Sequence, residues 1–204
     1  MYVRMRELRE TSFVGVFFFF LLLFTFPFLI RFFWAFSLAP VPYLTPDELI
    51  YPFAGRLYVQ GLASGNLSVF KVNAEHPPLS KLITALFIFF LAPFRFSDIG
   101  ALRVQGCFFS TLICVLAYLI GSRADRRVGI LSWVLLSFDP VSIRFTIASL
   151  DVTSLFFASL SIYMLLKAHP HSRRQYLLSG LCVGLATLCK YSAFPVVLGA
   201  FALI

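Results

Sequence analysis

The sequence predicts an all-α fold, a polytopic bundle of transmembrane helices, on three observations. Of its 204 residues 60% are hydrophobic and only 13% are charged, about half the charged share of a soluble domain. Continuous apolar runs recur along the chain, and in hydrocarbon a single segment satisfies its own backbone hydrogen bonds only as a helix. The basic residues behind the net charge of +8 fall in short clusters between those runs, where they set orientation rather than line a stripe for nucleic acid. Membrane lipids are therefore expected partners and nucleic acid is not.

The first run, Phe13 to Phe36, follows the basic stretch Met1 to Glu10. Its apolar core is too long for a signal peptide and no small-residue cleavage site follows, so residues 12–36 read as a retained first span. Residues 37–97 read as one extracytoplasmic loop with interfacial helices, and residues 98–204 as further spans. Their apolar runs are Ala101 to Gly121, Val128 to Ile143, Val152 to Leu166, Tyr176 to Cys189 and Tyr191 onward. The whole, 1–204, is one membrane domain. The last run reaches Ile204 with no cap or polar tail, so the chain reads as truncated, the N-terminal part of a longer protein or a split gene product.

Orientation follows from the basic clusters Arg4/Arg6/Arg9, Arg123/Arg126/Arg127 and Lys167/Arg173/Arg174, which belong in the cytoplasm. That places the N-terminus inside and the long loop outside, in a plasma membrane or endoplasmic reticulum. If every run crossed, the middle cluster would fall outside, so one earlier run fails to cross. Leu79 to Phe94 is the candidate: its 16 residues reach about 24 Å, short of a hydrocarbon core of about 30 Å. The cysteines form two pairs, Cys107 with Cys114 and Cys182 with Cys189, each seven apart in an apolar run. Two turns separate such partners, too far for a disulfide, and all four read as small packing residues.

Three constellations carry chemistry. Thr45-Pro46-Asp47-Glu48 is a helix start in which Thr45 caps, Pro46 takes the first position and Glu48 closes a capping box. Asp47 is left without a capping task, and a carboxylate in a helix's first turn stays ionised, as a general base requires. Glu75-His76-Pro77-Pro78-Leu79-Ser80-Lys81 combines a rigid turn with a lysine that either snorkels to the interface or, with His76, offers donors to an anionic headgroup. Arg103, Arg144, Asp151 and Lys190 stand at the ends of apolar runs. Singly they read as anchors, but ionisable residues at membrane depth tend to mark substrate sites. On the predicted topology they all reach one outer face. That suits a reaction that deprotonates an acceptor and expels a phosphate.

These residues in this order, Asp47-Glu48 then Tyr51, the HPPL-K run, Arg103, Ala148-Ser149-Leu150-Asp151 and Lys190-Tyr191, resemble the protein O-mannosyltransferase and aminoarabinose-transferase-like families of GT-C glycosyltransferases. The resemblance implies an inverting transfer of a mannose-like hexose or related sugar from a polyprenyl- or dolichyl-phosphate donor to a protein or lipid hydroxyl on the extracytoplasmic face. It implies catalytic roles for Asp47, Glu48 and Asp151, and donor-phosphate binding by Arg103, Lys81, Lys190 and His76. No metal-ligand cluster stands out and no cofactor is predicted, with a divalent metal left open. The competing reading, a transporter or a non-catalytic lipid-binding membrane subunit, would place its ionisable residues nearer the bilayer midplane.

Overall fold

The computed structural model of the chain describes residues 2–38, 47–147, 149–168, 173–193, 195 and 199, with backbone alone at 2–14, 47 and 149. Among them all regular structure is helical: α1 (Tyr2–Phe33), α2 (Asp47–Ser64), α3 (Leu79–Leu91), α4 (Asp98–Gly121), α5 (Arg126–Phe138), α6 (Pro140–Arg144), α7 (Ser149–Lys167) and α8 (Arg173–Cys189). The fold is the all-α membrane architecture that the composition predicts. By length and composition, three described segments can cross a bilayer: Gly15–Leu38, Asp98–Gly121 and Leu150–Lys167. The α5–α6 segment would be a fourth if its two arms count as one span.

α1 is helical well before the apolar run begins, and a wider π turn, Trp34–Leu38, extends it. Its internal Pro27 has no N–H to donate to the Leu23 carbonyl. The indole N–H of Trp133 on α5 takes that acceptor instead, at 2.9 Å, so the proline gap becomes a tie between helices. Arg31, fully buried on the same helix, fans out to Ser110 Oγ (2.6 Å), the Pro27, Leu136 and Ser137 carbonyls and Ser142 Oγ (3.1 Å). It joins α1 to α4, α5 and α6.

The apolar run Val128 to Ile143 is not one straight helix. It breaks by 54° between α5 and α6, because Pro140 cannot continue the α5 ladder. Asp139 starts a new helix there, its Oδ2 accepting the Ser142 amide at 2.6 Å. Arg31 satisfies the Leu136 and Ser137 carbonyls just before the break. α3 has 13 residues and a further helical turn, Ala92–Phe94. The helix itself rises only about 20 Å, so it does not have the length to cross.

Small residues and buried hydroxyls set the close approaches. A Cβ on Gly106 of α4 would collide with the Thr146 carbonyl of the turn after α6. α7 meets α8 and the residues just after it through Ala158, Ala186 and Ala193, Ser154 donating to the Ala186 carbonyl (2.9 Å) and Ser161 bonded to Ser179 (2.8 Å). All four cysteines are free and buried, in keeping with their reading as packing residues.

The α4–α5 turn and the end of α7 lie at the same end of the bundle, since Arg123 reaches the Leu166 carbonyl. The opposite end gathers the end of α1, the starts of α2, α4 and α7 and the end of α8. His169 and His171, read from sequence as solvated, lie outside the described residues, as do Thr45 and Pro46 of the expected capping box and most of the run after Tyr191.

Candidate active site

Glu48 stands in the first turn of α2 and Arg103 in the second turn of α4, and the two meet in a fork. Arg103 Nε donates to Glu48 Oε1 at 2.8 Å and Nη2 to Oε2 at 3.3 Å. Arg103 Nη1 donates to the Ala35 carbonyl at 2.6 Å, one of the acceptors that the end of the first helix leaves over. Glu48 is fully buried and Arg103 is 7% exposed. A buried pair of this kind is held by geometry, because each charge is costly without the other. Asp47 begins α2 directly before Glu48; its side chain lies outside the described part.

Lys81, in the first turn of α3, is also fully buried. Its ammonium donates to the Asn73 carbonyl (2.5 Å), the His76 carbonyl (2.8 Å) and Tyr58 Oη (3.3 Å), and lies 5.4 Å from the Tyr58 ring centre. The chain before α3 is shaped for this: Asn73 takes a left-handed φ of 52°, and Pro77-Pro78 lead directly into the helix. Burial draws the ammonium down to about 8, against the opposing pull of the Glu75 carboxylate. With three partners for three N–H groups, Lys81 acts as a strut under the 65–78 loop. His76 is half-buried, edge-on to the Tyr51 ring at 5.9 Å.

Asp151 on α7 pairs with Lys190 just after α8. Both are partly exposed, and both line a cavity of about 220 Å3 with Ser154, Leu155 and Ser192. Tyr51, Leu102 and Leu150 form one buried cluster, and each is within three residues of Glu48, Arg103 or Asp151. The two ion pairs therefore occupy the same end of the bundle. A buried polar chain also links this end, from Thr84 on α3 to Gln105 on α4 (2.7 Å) and on to Thr153 on α7 (3.1 Å).

Most of the chain that builds this end falls within a stretch that matches a known family. The family model for dolichyl-phosphate-mannose-protein mannosyltransferase matches residues 75–204. The chain belongs to that mannosyltransferase family, whose members are glycosyltransferases of the GT-C type. No curated protein and no solved structure matches it. The match takes in His76, Lys81, Arg103, Asp151 and Lys190, while Asp47 and Glu48 precede it. In this mannosyltransferase-family chain, the Glu48–Arg103 pair thus joins a residue ahead of the matched stretch to one inside it.

Of the residues singled out by sequence, the fold brings Glu48, Arg103, His76, Lys81, Asp151 and Lys190 to one end and leaves Arg144 exposed on α6. Sequence reasoning passed over Tyr58 and Gln105, which carry no charge, and Arg31, whose signal was a lone arginine inside an apolar run. It also passed over Arg56 and Asp98. These form a bidentate pair between α2 and α4, Nε to Oδ2 at 2.7 Å and Nη2 to Oδ1 at 2.6 Å.

Proposed function

We propose that the protein is a multi-pass membrane enzyme that moves a sugar, mannose-like or a related hexose, from a polyprenyl or dolichyl phosphate to a protein or lipid hydroxyl. The transfer takes place at the extracytoplasmic face with inversion at the anomeric carbon. The observation that carries this reading is the gathering of two acid–base ion pairs, Glu48–Arg103 and Asp151–Lys190, at the end of the bundle away from the basic turns.

Asp47 takes the proton of the acceptor hydroxyl. The acceptor oxygen then bonds to the anomeric carbon from the side opposite the phosphate, and the carbon–oxygen bond to the phosphate breaks with its electron pair leaving on the polyprenyl phosphate. A positioned base contributes about 100- to 10,000-fold. The leaving phosphate needs cations held in a low-dielectric setting more than it needs a proton. Lys190 fits that role best: Asp151 is its hydrogen-bond partner among the described residues, and it lines a cavity. Arg103 adds positive charge from behind Glu48. Lys81, its donors engaged, and His76, beside Tyr51, position the loop. Glu48 holds Arg103 and the first turn of α2, while Asp151 orients Lys190 and hydroxyls entering the cavity.

The test is incubation of the membrane-embedded protein with a lipid-phosphate-linked sugar and an acceptor. Free polyprenyl phosphate and glycosylated acceptor should appear together. Asp47→Asn should still bind donor and lose at least about 100-fold in turnover; undiminished turnover removes Asp47 from the reaction. Donor carried across the membrane with its sugar linkage intact indicates a transporter.

A further inference from the structure

The geometry points to Arg56 and Asp98 as positioning residues for the transfer: their bidentate pair fixes the roll of α2 on α4 and so the place of the first turn of α2, where Asp47 and Glu48 stand. This rests on the function proposed above, although the mechanical half of it does not.

α2 and α4 touch through three pairings in strict reverse order. Glu48 meets Arg103, Tyr51 packs with Leu102, and Arg56 meets Asp98. The two helices therefore run antiparallel where they cross, with an ion pair on either side of an apolar contact. A single pairing would leave α2 free to roll about it, but two forks about 12 Å apart along α2 do not. Roll at one end must break the fork at the other.

The two forks differ in kind. Glu48 and Arg103 are buried, whereas the side chains of Arg56 and Asp98 are 55% and 38% exposed. An exposed pair contributes little to stability, so stability does not account for the shape of this one. Its two short, parallel N–H to O bonds supply direction. Asp98 is itself well placed. Ser97 caps α4, its Oγ accepting the Gly100 amide at 3.0 Å, and Asp98 follows in the first turn, where the helix dipole favours its charge. Phe96, next to the cap, lies edge-on to Phe36 of the π turn at 6.0 Å, so the α4 start is fixed on α1 as well. On its other side α2 lies close against α3: a Cβ on Gly55 would stand 2.5 Å from the Lys81 carbonyl. One residue later, Arg56 sets the roll of the same helix segment.

The experiment uses the whole chain in lipid nanodiscs with Arg56→Glu, Asp98→Arg and the combined exchange. Acting by position rather than by contact with donor, each residue when replaced singly should lower kcat about tenfold with donor KM within about twofold, a misplacement well under the 1 Å that costs about 100-fold. The combined exchange should recover most of the loss, since contacting charges are not additive. Conservative Arg56→Lys keeps the charge, loses the fork, and should fall between. Independently, spin labels at Gln60→Cys and Ala124→Cys should give a single narrow distance in the wild-type background, a broadened one in each single variant, and a narrow one again in the exchange. Unchanged kcat and unchanged distances in the single variants overturn the proposal, as does an exchange that restores neither. A protein that transfers no sugar yet shows the broadening and its reversal defeats the proposed function and leaves the roll-setting pair standing.

Discussion

At the scale of single residues, the Glu48–Arg103 fork separates two jobs that one substitution would confuse. Removing either partner deprives the other charge of this fork in a buried site, a cost of about 3–5 kcal/mol. Arg103→Leu should therefore reduce the folded, monodisperse fraction in detergent whatever its part in catalysis. Replacing both partners by leucine removes the stranded charge, and such double replacements are often neutral. The Glu48→Leu/Arg103→Leu pair should thus melt nearer to wild type than Arg103→Leu does, while sugar transfer stays lost. Thermal unfolding monitored by gel filtration decides it; a double variant as unstable as the single one means that the fork's hydrogen bonds, not its charges, hold this end together. The partners of the two ion pairs, Glu48 with Arg103 and Asp151 with Lys190, stood out in the sequence because a charge bordering an apolar run is conspicuous. Lys81 was readable as a residue but not as a strut, since its partners include two backbone carbonyls, which leave no trace in the side-chain sequence.

Among the elements, long apolar runs translate directly into helices, and α4 and α7 fall within a few residues of the runs that predicted them. The α5–α6 break was written in the sequence as Asp139-Pro140, but hydropathy averages over it: the residues on both arms are apolar, and only the missing proline N–H marks the bend. The seating of α2 on α3 was not legible, because a helix facing a partner through a glycine offers no pattern until the partner is known. That seating predicts the effect of bulk. A side chain at Gly55 meets backbone, the Lys81 carbonyl, rather than a rotatable side chain, so the helices must part. Gly55→Val should cost about 1–3 kcal/mol in local stability and raise amide exchange along α2 and the first turns of α3, leaving α7 and α8 protected. Exchange that rises uniformly across the chain, or not at all, contradicts a seating specific to α2 and α3.

For the whole molecule, the arrangement of charge along the bundle axis supports a definite topology. The turns near Arg123 and Lys167 sit together at one end, and both ion pairs of the candidate site sit at the other. Basic clusters favour the cytoplasmic side, so the end with α2 should face outward. Among the described residues five helical passages join the ends, α1, α4, α5–α6, α7 and α8, and they accommodate this only if α3 does not cross, as its length already implies. Single-cysteine variants test it in intact cells, because the native cysteines are buried. Ser64→Cys at the end of α2 and Ala124→Cys in the α4–α5 turn are both at exposed positions. A membrane-impermeant maleimide added outside should label Ser64→Cys at once and Ala124→Cys only after the membrane is opened, with Lys167→Cys following Ala124→Cys. Labelling of Ser64→Cys and Ala124→Cys from the same side means that the passages have been miscounted. Labelling of Ala124→Cys alone from outside inverts the whole bundle, placing the Glu48–Arg103 and Asp151–Lys190 pairs in the cytoplasm, where an extracytoplasmic transfer reaction has no access to them.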